Sequence, residues 1–172
     1  MPGDNNINEV RETLSRIYGA VAAVVRDDRL GSDLLLTDLH DSFDDFSELL
    51  AAMSFATLDR LDAALATGVQ LSPRESRAMA QYLLTEAHRY AMSDAIPVQA
   101  AARRLDAVRR HDHEQVVAEI EHSRSIASDT ELLWGATALL TATVSMWAQR
   151  SGQSPRRAAA DLCLAVSVAP AC

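Results

Sequence analysis

The chain has 172 residues, 48% of them hydrophobic and 23% charged, a balance that suits one globular domain with a proper core and excludes a disordered chain. Its formal net charge is −8, which argues against nucleic acid as a direct partner, because phosphate binding needs clustered cations. All 16 basic residues are arginine, so any Schiff-base or P-loop lysine mechanism is excluded.

The opening MPGDNNINEV is polar and acidic and does not read as a secretory leader. Ile7, Val10, Leu14, Ile17, Val21 and Val24 then recur at alternating steps of three and four. That spacing predicts one helix with a continuous apolar stripe, starting near Asn6 and ending at Asp27-Asp28. The leucine-rich GSDLLLTDLHD reads as a short helix capped by Ser32. A long helix is expected after Ser42, with Asp45 completing a capping box and Phe43, Phe46, Leu50 and Met53 facing inward. It should end at Thr67-Gly68.

Ser72-Pro73-Arg74-Glu75 joins an N-cap serine, a proline at the first helical position and a glutamate at the third. The helix it opens carries Met79, Leu83, Ala87 and Tyr90 inward and stops near Ser93-Asp94. Beyond Pro97, the residues Val98, Ala101, Leu105 and Val108 keep helical spacing. Around His111-Asp112 the chain either turns or runs on as one longer helix through Ile126. Ser128 and Glu131 form another capping box, opening a helix that Gly152 closes. Ser154-Pro155 starts a last short helix, and the tail AAADLCLAVSVAPAC is apolar enough that it should dock. No segment alternates with period two. The expected fold is all-α: one compact domain over 1–172, a bundle of six or seven helices around a buried central helix near 131–150.

That central segment is informative. Leu132 to Gln149 runs for eighteen residues without a charge, but threonines, a serine, a glycine and a glutamine interrupt it, so it is not read as a membrane span. One face carries Leu132, Leu133, Ala136, Leu139, Leu140, Val144 and Trp147; the other carries Trp134, Ala138, Thr141, Ala142 and Ser145. A helix without charge all round is hidden all round. Either it lies at the centre of the bundle, or its second face meets another copy of the chain, with Trp134, Ala138, Thr141 and Ser145 as the self-association surface of a homodimer.

HDHEQVVAEIEH, residues 111–122, places Glu119 and His122 at the Glu-x-x-His spacing of di-iron bundles. At about 100° per residue, Val116, Val117, Ile120 and Ala127 share one face, while His111, Gln115, Glu119 and His122 point to water. His113 falls near the apolar side. No second Glu-x-x-His occurs. No metal or other cofactor is therefore expected, although His113, Glu114, Glu119 and His122 are the residues a metal would use.

Between Asp27 and Glu48 there are eight acids against the single Arg29. Such a run is either a solvated helix entry or a docking surface for a basic protein, through Asp38, Asp41, Asp44, Asp45 and Glu48. Arg103, Arg104, Arg109 and Arg110 should pair with nearby acids within the chain or across a dimer. There is no glycine-bearing turn before an arginine-rich recognition helix, no Gly-x-Ser-x-Gly elbow and no glycine-rich phosphate loop. Cys163 and Cys172 read as reduced thiols of a cytoplasmic protein. The functional expectation is a non-enzymatic helical protein that works through protein contacts, of regulatory, adaptor or inhibitor type. The alternatives are a helical enzyme or carrier for a metal or small apolar ligand, and an acidic decoy for a nucleic-acid-binding protein.

Overall fold

A computed structural model describes residues 3–66, 72–91 and 95–168. Among them are eight helices and no strand: α1 (Gly3–Val25), α2 (Arg29–Asp41), α3 (Phe46–Ala66), α4 (Pro73–Tyr90), α5 (Ala95–Arg109), α6 (His113–Ile126), α7 (Asp129–Arg150) and α8 (Pro155–Val168). The sequence led us to expect six or seven. The leucine-rich connector proves to be a full helix, α2, and the chain does break at His111, which separates α5 from α6.

Both breaks are built the same way. Asp27 and His111 take left-handed backbone conformations, with φ of 63° and 56°. The amide of the next residue reaches back to a carbonyl of the last turn, Asp28 N–H to Ala23 at 2.9 Å and Asp112 N–H to Ala107 at 3.1 Å. This is a Schellman closure. The same aspartates then cap the following helix, Asp28 accepting from Gly31 N–H at 2.9 Å and Asp112 from Gln115 N–H at 3.0 Å. Asp28, rather than Ser32, therefore opens α2. Ser42 closes α2 and does not open α3, whose first turn is held by the Asp45 carboxylate on Ser47 N–H at 2.8 Å. The other two predicted capping boxes, Ser72 with Glu75 and Ser128 with Glu131, are present. In each, hydrogen bonds from the serine hold the glutamate's pKa below its ordinary value. Gly152, at φ 69°, closes α7 as expected. The predicted ends at Thr67-Gly68 and Ser93-Asp94 lie outside the described residues, as do the side chain of Ile7 and Cys172.

Helix α7 is the axis of the bundle. It packs on every other helix, most extensively on α3, α5 and α4, and nearly all of its side chains from Leu132 to Ala148 are buried. Its threonines are accommodated because each hydroxyl donates to the carbonyl four residues back: Thr137 to Leu133 at 2.8 Å, Thr141 to Thr137 at 2.7 Å, Thr143 to Leu139 at 2.9 Å. Gly135 lets α7 approach α5 closely, since a Cβ there would sit 2.5 Å from the carbonyl carbon and oxygen of Pro97. Helix α8 docks on α1 and buries Ala158, Ala159 and Leu162.

The second face of α7 is covered by the chain itself. Trp134 is 6% exposed and donates from Nε1 to Asp33 of α2 at 3.3 Å. Ser145 shares a hydrogen bond with Tyr90 of α4 at 3.2 Å, and Ala138 and Thr141 are wholly enclosed. The four residues expected to form a self-association surface, Trp134, Ala138, Thr141 and Ser145, are thus buried within the chain. Among the described residues no helix is long and apolar enough to cross a membrane.

Candidate partner-binding groove

Helix α1 packs on α8, α2 and α7, whereas α3 packs on α7 and α5. Along their outer edges the two leave a groove of about 550 Å³ instead of sealing against each other. On the α1 side it is lined by Glu9, Val10, Thr13, Leu14 and Tyr18; on the α3 side by Glu48, Ala52, Phe55, Ala56 and Asp59; Phe43 of the connecting segment adds to one end. Both stripes follow helical spacing and run for roughly 15 Å at 1.5 Å per residue.

The floor is apolar and open to solvent. Val10 is 52% exposed and Phe55 53%, although Val10 belongs to the stripe the sequence assigns to the core. The rim is acidic. Glu9, Glu48 and Asp59 line the groove itself, and Glu12 and Asp44 border its extension toward Ser42. Among the described residues, the one cation lining it is Arg16, already engaged by Glu12 and, at 3.2 Å, by Asp38. Asp59 pairs with Arg60, whose guanidinium also lies 5.3 Å over the Trp147 ring. Burial raises the pKa of the Tyr18 phenol, with Arg60 opposing, so the hydroxyl stays neutral as a hydrogen-bonding group in the wall.

The acids singled out from the sequence do not form one surface. Asp38 is held by Arg16, Asp41 lies 3.3 Å from His40, and Asp45 is spent on the α3 N-terminus. Only Asp44 and Glu48 face the groove system. The residues missed were on the outer side of α3. The signal for them is the charge-free run LLAAMSFATL, residues 49–58, which is too apolar for a helix with one buried face.

Helix α6 presents a different inner face from the one expected. Ile120 and Ser123 are buried and Val116, Glu119 and Ala127 half-buried, while Val117 is 56% exposed. His111, Glu114 and His122 are exposed, and so is His113, which the wheel placed near the core. Glu119 does not point to water. Its carboxylate accepts from Arg103 Nε at 2.9 Å and from Gln115 at 2.9 Å. Burial alone would raise its pKa, but these hydrogen bonds, with the charges of Arg103 and His122, hold it below the usual range. No three His, Cys, Asp or Glu side chains converge on a metal-sized site among the described residues.

The adjacent arginines of α5 meet opposite fates. Arg103 is the surface partner of Glu119, and Arg110 pairs with Asp106 at 3.0 Å. Arg104 points inward, is 0% exposed, and has no hydrogen-bond acceptor among the described residues on any of its three guanidinium nitrogens. Desolvation pulls its pKa down to about 10, with the charge of Glu119 opposing and that of Arg103 assisting. The expectation that it pairs with a nearby acid is corrected: no acid among the described residues reaches its guanidinium. Burial also pushes up the pKa of the Cys163 thiol, with the charge of Arg26 opposing, which disfavours the thiolate.

No protein-family model, curated protein or solved structure matches the chain. The functional reading therefore rests on its own residues.

Proposed function

We propose that the chain works through protein contacts, as a regulatory, adaptor or inhibitor-type module that receives a basic amphipathic helix of a partner protein in the groove between α1 and α3. The observation that carries this is the combination of an open apolar floor, with Val10 and Phe55 half exposed, and a rim whose carboxylates outnumber the already paired Arg16. A helix laid in such a groove buries its apolar stripe on Val10, Leu14 and Phe55, while arginines or lysines flanking that stripe meet Glu9, Asp44 and Glu48. The groove's length matches about three helical turns. Of the acidic segment expected to meet a basic partner, this reading uses Asp44 and Glu48, which line the groove system.

The test uses a fluorescein-labelled twelve-residue amphipathic peptide of leucine, alanine and arginine, and its counterpart with glutamate in place of arginine, followed by anisotropy. The basic peptide should bind, with affinity falling as salt rises. Phe55→Ala, and separately Glu9→Arg with Glu48→Arg, should each weaken it by about tenfold or more, while Glu121→Arg on distant α6 should not. Equal binding of the acidic peptide, or indifference to Phe55→Ala, would end the proposal. A small apolar compound retained in native mass spectra and lost in Phe55→Ala would instead point to a carrier.

A further inference from the structure

A second, smaller pocket of about 200 Å³ lies where α1, α2, α4 and α7 meet, and its chemistry is the reverse of the groove's. Val24 and Val25 from the end of α1, with Tyr90 of α4 and Trp134 of α7, make an apolar and aromatic wall. Arg29 and Arg89 line it from two different helices, with Asp27 as its only acid among the described residues. In a chain of net charge −8, the described residues that line this pocket carry a net positive charge.

The two guanidinium groups are only partly committed. Arg29 approaches Asp27 through Nε at 3.7 Å, beyond hydrogen-bond distance, and Arg89 approaches Glu86 through Nη1 at 2.9 Å. Each guanidinium has five N–H donors in a planar fork, so each keeps donors for a second acceptor. The wall, by contrast, is fixed: the Trp134 indole is tied to Asp33 and the Tyr90 hydroxyl to Ser145. The volume has room for one aromatic ring and a substituent, since a cavity of about 150 Å³ holds benzene. Asp27 itself holds the left-handed turn, φ 63°, that delivers Arg29 to the rim.

We propose that this pocket binds a small single-ring aromatic carboxylate, with the ring against Tyr90 and Trp134 and the carboxylate bridging Arg29 and Arg89. The inference does not depend on the groove. An anion is selected because two guanidinium groups line the pocket and a guanidinium fork matches a carboxylate's two oxygens, and an aromatic body because two rings and two valines line the remainder.

Benzoate, benzamide and benzamidine share one shape and carry negative, zero and positive charge, so they separate charge recognition from ring burial. In Trp147→Phe protein the tryptophan emission comes from Trp134 alone. Benzoate should change it saturably, benzamide should bind about tenfold more weakly or worse, and benzamidine should leave it unchanged. Arg29→Gln and Arg89→Gln, both at exposed positions, should each weaken benzoate by at least about threefold with an unaltered melting temperature. Should Trp147→Phe not fold, saturation-transfer NMR on the unmutated chain and the two arginine variants reads the same contrast. Benzoate that fails to saturate, benzamidine that binds as well as benzoate, or affinity untouched by both arginine variants would overturn the assignment.

Discussion

Replacing Arg104 by methionine should stabilise this protein. The guanidinium is fully enclosed with no acceptor on any nitrogen among the described residues, and burial draws its pKa down from the ordinary arginine range to about 10. At 1.36 kcal/mol per pKa unit, that displacement corresponds to roughly 3 kcal/mol of penalty for keeping the cation folded at neutral pH. Methionine keeps much of the aliphatic stem and removes the charge, and exchanging a buried charge for an apolar side chain of similar volume stabilises by about 1–4 kcal/mol where the geometry is poor. Urea denaturation at pH 7 should show a higher midpoint with an unchanged slope. The melting temperature should rise by about 6–12 °C, at 2–4 °C per kcal/mol for a chain of this size. The pH dependence supplies a second, independent check. Arg104 holds its proton less tightly folded than unfolded, so its penalty is constant below about pH 10 and shrinks as the pH rises above that toward the ordinary arginine range. The gap between wild type and Arg104→Met should narrow across that window, while the titration of tyrosines common to both cancels. A variant less stable than wild type by about 1 kcal/mol or more, or a gap that ignores pH, would refute the reasoning and mean that the buried guanidinium is satisfied.

Gly135→Ala should destabilise by about 2–3 kcal/mol in the same denaturation assay, because the new methyl meets the Pro97 backbone and not the movable end of a side chain. His122→Ala should be neutral within about 0.5 kcal/mol, whereas Glu119→Gln should cost about 1–3 kcal/mol by breaking the contacts to Arg103 and Gln115. Part of that loss should disappear in an Arg104→Met background, since the buried cation is then no longer there to be opposed.

Much of the architecture was legible in the sequence because helix ends are local events. The Ser72 and Ser128 capping boxes, Gly152 and the charge-free stretch from Leu132 to Gln149 each carry their consequence within a few residues, and each is found as read. The break at His111-Asp112 also had a local sign, an aspartate placed to cap Gln115, repeated at Asp28 before Gly31; its left-handed predecessors, Asp27 and His111, are not glycines and so went unmarked.

Local pattern says that a helix has a buried face, but a wheel drawn on a few apolar residues sets its rotation only to within one neighbour. On α6 that was enough to turn Val117 outward and Glu119 inward. By itself, then, the sequence determined that this chain is helical, where the capped helices α4 and α7 begin and where α7 ends, and which helix lies at the centre, through capping chemistry, period and the absence of charge. Only the tertiary structure decided that Arg104 lies in the interior, that Trp134 is covered by the chain's own helices, and that α1 and α3 stand apart over an apolar floor. Those outcomes depend on which helices become neighbours, and the free energy of enclosing or exposing a side chain is set across that contact, between residues far apart in the chain.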